Sequence, residues 1–258
     1  MKSKGILILY SESAQLDYNR LSDLCARLAE YYLNVPVTIK KIQPLTKGMR
    51  TFKYENLELV PTEWNNVGRF DAYDISPYDE TILIDADYFV QTDNLGNYFG
   101  SDHDFLCHSH SWDVTGLDTL AQDEVMSRNK FNMRWATVVY FKKSKHAENI
   151  FRMWRKIYDN YEYYGRLIGF HRDPYRNDFC VSIALQVCSG YAEKDTFYHN
   201  LPSMNTTHKI IDYGNRNWLI RYTHANKQNV VRYRGDLHAM NKRCILDTDI
   251  YDKLWNSV

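Results

Sequence analysis

The chain has 258 residues, with 32 basic and 32 acidic side chains, a formal net charge of zero and a 44% hydrophobic share. At roughly 100–200 residues per domain this is one large domain, and its mix of apolar and charged residues excludes a disordered chain, a coiled coil or a collagen-like repeat. The longest apolar run near the start, Ile6-Leu7-Ile8-Leu9-Tyr10, is far short of the ~18 residues that span a bilayer and too short for a secretion signal behind Met1-Lys2-Ser3-Lys4.

Short β-branched runs alternate with amphipathic stretches. Gly5–Tyr10 reads as a buried strand, after which Leu16, Leu21, Leu24, Leu28 and Tyr31/Tyr32 recur at helical spacing. Val35–Ile39 is predicted as a second strand, with Pro36 tolerated at its start. Thr81–Asp85, Phe105–His108 and Thr137–Phe141 are the next three. A helix is predicted over Lys145–Tyr161, its apolar face made by Ile150, Phe151, Trp154 and Ile157, and Phe179–Val187 reads as a short buried helix. This order predicts an α/β fold: a mixed sheet flanked by helices, in a single domain. Ligands of such sheets bind beyond the carboxyl ends of the strands.

The segment that carries chemistry is Tyr78-Asp79-Glu80-Thr81-Ile82-Leu83-Ile84-Asp85-Ala86-Asp87-Tyr88, an apolar strand ending in two carboxylates. Asp85 and Asp87, two positions apart on a turning backbone, can meet one divalent cation such as Mg²⁺ or Mn²⁺, which also takes oxygens from a substrate diphosphate. The same spacing recurs in Asp102-His103-Asp104 and Asp247-Thr248-Asp249. The first of these precedes a strand and reads as a solvated or capping loop. The second reads as a helix N-cap.

The Asp85/Asp87 segment resembles the metal-binding segment of nucleotide-sugar glycosyltransferases of the GT-A fold, especially the glycogenin-like group. Three later segments are similar and come in the same order. Trp135-Ala136-Thr137-Val138-Val139-Tyr140-Phe141 resembles the strand placed across the donor sugar, Arg176-Asn177-Asp178-Phe179 the acidic acceptor-side segment, and Asp236-Leu237-His238-Ala239-Met240-Asn241-Lys242 the late histidine segment. Two departures stand out: Met133-Arg134-Trp135-Ala136 replaces the usual Asn-x-Gly, and the histidine segment lacks its glycine and terminal Pro-Trp. The resemblance implies a GT-A-type, Rossmann-like sheet with a nucleotide-binding half over 1–100 and an acceptor-binding half over 101–258. It also implies a UDP-sugar donor and retention of configuration.

On that resemblance Asp85, Asp87 and His238 hold Mn²⁺ or Mg²⁺, and Asn241 and Lys242 face the diphosphate. Asp178 accepts a proton from the acceptor or stabilises an oxocarbenium-like centre. Read as an ordinary helix start, the same Asp178 is an N-cap. Tyr10 and Ser11, at the end of the first strand, are candidates for the base and ribose. Arg69 precedes the metal strand and either clamps the diphosphate or relieves carboxylate crowding.

The zero net charge conceals an uneven distribution. Residues 54–124 hold sixteen acids and one base, residues 125–156 nine bases and one acid, and residues 209–243 eight bases and two acids. In the last stretch arginines and Lys227 are interleaved with Trp218, Tyr222, His224 and Tyr233, a mixture suited to a polyanion. Segments 125–156 and 209–243 are therefore candidates for contact with DNA. The compact size and basic second half resemble bacteriophage-encoded transferases, which implies a hydroxymethylated pyrimidine in DNA as acceptor, with a glycan as the alternative. Cys25, Cys107, Cys180, Cys188 and Cys244, scattered and without a CxxC, read as reduced and mostly buried thiols of a cytoplasmic protein with no membrane insertion. An aspartate-nucleophile phosphohydrolase is disfavoured by Tyr88-Phe89 after the second carboxylate, and a non-enzymatic binding module would need no metal.

Overall fold

A computed structural model describes residues 2–44, 50–55, 58–63, 68–117, 125–126, 131–170, 175–192 and 196–258. Five strands form the central sheet: β1 (Lys4–Tyr10), β2 (Val37–Lys41), β5 (Glu80–Ile84), β7 (Phe105–His108) and β9 (Trp135–Lys142), in the order β2-β1-β5-β9-β7. β2, β1 and β5 run parallel, whereas β9 is antiparallel to both β5 and β7. The apolar runs are continuous because the sheet is covered: Ile6, Leu7, Ile8, Ile82, Leu83, Ile84, Val138 and Val139 are fully buried. The fold is therefore α/β with a mixed sheet flanked by helices. Strands from both halves of the chain share the sheet.

Between these strands lie a hairpin of β3 (Arg50–Glu55) and β4 (Glu58–Glu63), and β6 (Tyr88–Phe89). β8 (Ser111–Asp113), β10 (Leu201–Met204) and β14 (Leu237–Ala239) join β6 in a second sheet of order β6-β14-β10-β8. β11 (Lys209–Gly214), β12 (Asn217–His224) and β13 (Lys227–Tyr233) form an antiparallel meander. Helix α1 (Tyr18–Leu33) starts where the Asp17 carboxylate accepts from the Arg20 N–H at 2.9 Å and stops at Asn34, in the left-handed region. It packs on β1 and β2. The short α2 (Ala72–Ile75) follows a 3₁₀ turn at Arg69–Asp71. Next come α3 (Lys145–Asp159), α4 (Tyr161–Ile168), α5 (Asn177–Cys188), α6 (Arg243–Leu246) and α7 (Ile250–Trp255), with α3 and α5 packed together and α5 against β9.

The predicted strands are present within about two residues of their expected ends, as are the helices except at one point. The run expected to end at Tyr161 breaks at Asn160 (φ −124°, ψ 33°) and restarts as α4. The meander is the larger difference. Its Trp218/Ile220 alternation is a strand signal that its dense positive charge masks in sequence. All five cysteines are free, and Cys25, Cys107 and Cys180 are buried. Among the described residues no helix is long and apolar enough to cross a membrane.

Close approach explains Gly5. A Cβ there would lie 2.4 and 2.5 Å from the Tyr78 ring and 2.7 Å from the Pro36 carbonyl oxygen. Overpacking of this kind costs about 2–3 kcal/mol, so Gly5→Ala is expected to lower the urea midpoint of unfolding. An unchanged midpoint would show that Tyr78 can swing away.

Buried histidines set an acid limit. His108 is fully buried, and neither ring nitrogen has a hydrogen-bond partner among the described residues. Burial, helped by His199 and His238, holds it well below the ordinary 6.5; His208 is likewise lowered by burial, against the pull of Asp113. Both are neutral in the folded chain and take a proton more readily when unfolded. Stability is therefore fully present above pH ~6.5 and falls as the pH drops below it, by up to about 1.4 kcal/mol per pH unit for each histidine. The expected result is a melting temperature that declines between pH 6.5 and 5 in His108→Gln less than in the unaltered chain.

Candidate metal centre

Backbone register assembles the site. Asp85 follows the last residue of β5, and its N–H donates to the Thr137 carbonyl of β9 at 2.9 Å. The chain turns there, with the Tyr88 N–H on the Asp85 carbonyl at 3.1 Å, and enters β6. β6 pairs with β14 so that Tyr88 stands opposite His238, and the Ala239 N–H donates to the Asp87 carbonyl at 2.9 Å. One potential ligand atom each from Asp85, Asp87 and His238 then lies within 4.8 Å of the others. His238 is 151 positions from Asp87 in sequence, and the pairing of two short strands closes that gap.

Asp236 locks the pairing. Its buried carboxylate accepts from the N–H of Gln91 (2.7 Å) and of Thr92 (2.8 Å) and from the Thr92 hydroxyl (3.0 Å). Ser203 of β10 faces Nδ1 of His238 at 3.3 Å and in turn accepts from the Ser111 hydroxyl at 2.8 Å. A ring nitrogen held in this way leaves the other to a cation. No local pattern marks Ser203, Ser111 or the bracing role of Asp236.

Each carboxylate also meets a cation from the protein. The Arg69 guanidinium, 2% exposed, donates to Asp85 and, through Nη2, to the Thr137 carbonyl at 3.3 Å; Lys242 Nζ donates to Asp87. Burial pushes the Asp85 carboxyl above its ordinary range, with Arg69 pulling it back and Asp87 raising it further. Burial would raise Asp87 too, but Lys242 and His238 outweigh it and hold the group low. Lys242 stays charged because Asp87 overcomes the cost of its burial. Burial keeps His238 neutral against the pull of Asp87.

The donor set fits a divalent cation. It has two carboxylates and a neutral imidazole whose Nε2 lies 3.6 Å from Asp87 Oδ1, too far for a hydrogen bond. With both carboxylates ionised, Arg69 and Lys242 balance them. A divalent ion held there leaves two surplus positive charges, matched to a diphosphate.

The remaining candidates are placed as follows. Tyr10 and Ser11 lie at the carboxyl end of β1, the same edge as Asp85; the Tyr10 hydroxyl donates to Asn19 at 2.8 Å and Ser11 is buried. Asn241 donates to the His208 carbonyl at 2.8 Å. Asp178 is inside the first turn of α5, where Arg176 holds the cap position, so it is not an N-cap. One of its oxygens accepts from the Ala136 N–H at 2.8 Å and the other from Arg176 at 3.2 Å. It remains near enough to raise both Asp85 and His238 electrostatically. Asp102 is exposed in a loop, and Asp249 sits at the α7 cap position but pairs with Lys253 at 2.8 Å instead of capping.

The two basic stretches differ. In 125–156, Lys145 and Arg152 pair with Glu148, and Arg155 with Asp71 and Asp159; Arg128 and Lys130 lie outside the described residues. Trp218 of the second stretch, taken from sequence as a ring available to a base or sugar, is wholly buried. It belongs to the core because it faces Phe89 and Tyr213.

No protein-family model and no curated protein matches the sequence. Solved structures of glycosyltransferases overlap it in part, among them the following three. GlyE, a glycosyltransferase of Streptococcus pneumoniae, is 11% identical with a TM-score of 0.43 over 77% of this chain and 46% of its own. This chain thus spans less than half the length of GlyE. The galactosyltransferase LgtC, solved with donor and acceptor sugar analogues, is 10% identical, with a TM-score of 0.42 over 70% of each chain. A glycosyltransferase involved in glycosylating the major capsid of the virus PBCV-1 is 11% identical, with a TM-score of 0.39 over 77% of this chain and 81% of its own. At such identities and scores these likenesses transfer no activity.

Proposed function

We propose that the chain is a metal-dependent glycosyltransferase that moves a sugar from a UDP-sugar to an acceptor hydroxyl. The observation that carries this reading is the Asp85/Asp87/His238 cluster at the carboxyl edge of the sheet, already charge-balanced by Arg69 and Lys242. A divalent ion bound there supplies positive charge where the leaving diphosphate gathers negative charge. The chain's own residues have separate tasks. Arg69 and Thr137 fix Asp85, Ser203 fixes His238, and Lys242 offers a second positive charge beside the diphosphate position. Both Asp178 oxygens are engaged, so no free carboxylate base stands ready at α5; this favours retention over inversion. Tyr10 and Ser11 are placed for the nucleoside, in keeping with a nucleotide-binding role for residues 1–100. The acceptor that suits the charge map is the exocyclic hydroxyl of a hydroxymethylated pyrimidine in phage DNA, flipped from its stack for reaction.

The test is calorimetric titration of UDP with and without Mn²⁺. Binding that requires Mn²⁺ is expected; metal-independent binding, or none, would remove the transferase. Transfer from UDP-sugars to hydroxymethylated duplex DNA, compared with an oligosaccharide, then reads the acceptor.

A further inference from the structure

β11 pairs with β12 only as far as Lys209 opposite Arg221, whereas β12 and β13 stay paired out to His224 opposite Lys227. Beyond Arg221 the meander is a two-stranded ribbon, closed by Ala225 and Asn226 at φ 48° and 60°, the left-handed pair of a two-residue hairpin turn. From Arg221 to His224 at its tip the two-stranded part is about 10 Å long, at ~3.3 Å per residue. Thr223, His224, Lys227, Gln228 and Val230 on it are exposed.

Charge singles out one face. Between Asp212 and Asp236 the chain holds Arg216, Arg221, Lys227, Arg232 and Arg234 and no acid. The register sets Lys209 directly across from Arg221, and Arg232, opposite Leu219, is its diagonal neighbour. All three are exposed, and among the described residues none has an ion-pair partner. Like charges directly opposite one another weaken a ladder. Helix α3 shows the alternative, since Lys145 and Arg152 are answered by Glu148 and Arg155 by Asp71 and Asp159. The ribbon has a fixed root: the Trp218 indole N–H donates to the Gly235 carbonyl at 3.0 Å, three residues before His238.

The geometry points to this meander as the docking element for a duplex nucleic acid, with its two-stranded end in the groove and Lys209, Arg221 and Arg232, at the base of that end, on the phosphodiester backbone. A two-stranded ribbon fits the ~12 Å major groove, and Thr223 and Gln228, opposite each other further out, are placed to meet base edges. Val230, opposite Arg221, is the one large apolar side chain exposed on β12 and β13, which leaves little for a membrane or an apolar protein partner. What happens to the bound nucleic acid rests on the transferase reading; the contact itself does not.

The experiment is fluorescence anisotropy of a labelled 20-base-pair DNA duplex titrated with the full chain at 50–200 mM salt. Binding at 50 mM is expected, weakening linearly on a logarithmic salt scale. Lys209→Ala/Arg221→Ala/Arg232→Ala is expected to bind at least ~10-fold more weakly at 50 mM and to lower the salt slope by about 2–3, at ~0.9 per phosphate contact. Arg221→Lys/Arg232→Lys is expected to keep the slope, and an unchanged melting temperature shows that the variants are folded. The proposal is overturned if the unaltered chain does not bind at 50 mM, if the triple variant binds as it does, or if chondroitin sulfate is bound and the duplex is not. Duplex binding without Mn²⁺-dependent UDP binding keeps the ribbon and removes the transferase; the converse does the reverse.

Discussion

Asp87→Asn is expected to weaken Mn²⁺-dependent UDP binding at least about 100-fold, more than the 10–100-fold usual for groups that only support a metal ligand. Asp87 meets His238, Lys242 and the backbone of β14 at once, so removing its charge takes away a ligand and leaves the Lys242 ammonium without its partner. Ser203→Ala, which frees only the far side of the His238 ring, is expected to cost about 10-fold. Asp102→Asn, in a pair of identical spacing, is expected to cost nothing. Calorimetry and Mn²⁺ paramagnetic resonance would read all three, and equal affinities in Asp87→Asn and Asp102→Asn would refute the site. Asparagine is the informative choice at Asp85 as well. Asp85→Ala would strand the buried Arg69 guanidinium at a cost of about 3–5 kcal/mol, confounding metal loss with unfolding.

Trp218→Ala is expected to lower stability by about 3–5 kcal/mol, the usual cost of emptying a large aromatic site. The indole is fully buried between Phe89 and Tyr213, with ring centroids 5.9 and 5.0 Å away, and its N–H is bonded to Gly235. A melting temperature lower by roughly 8–15 °C would follow for a chain of this size. Because Gly235 leads into β14, the loss is also expected to loosen His238 and reduce Mn²⁺ affinity in the fraction that stays folded. Trp218→Phe keeps most of the packing and loses the N–H bond, for about 1 kcal/mol. A Trp218→Ala chain that melts within a few degrees of the original would show that the meander is not anchored through this ring.

Particular residues show where sequence stopped. Thr81-Ile82-Leu83-Ile84 announces a covered strand by composition, and a pair of acids at its carboxyl end marks a ligand site by position, so Asp85 and Asp87 were legible locally. His238 was not. As one of nine histidines it is marked only by the resemblance of its segment, because what brings it to Asp87 is a two-residue strand pairing across 151 positions. The two roles open to Arg69 in sequence differ only in which group it faces, and burial against Asp85 is a property of the folded neighbourhood. Asp178 reads as a cap in sequence, but α5 starts two residues earlier than expected, at Asn177, and the Asp178 carboxylate accepts from β9.

Composition and periodicity, then, were enough for the α/β class, most strands and helices, and the carboxylate pair, since each is written in the order of neighbouring side chains. The tertiary structure decided the rest. It brought the histidine and the two cations to the carboxylates, and it showed that Lys145, Arg152 and Arg155 of one basic stretch are paired with acids while Lys209, Arg221 and Arg232 of the other are open to solvent. Those depend on distance in space, which strand register and packing set and local sequence does not.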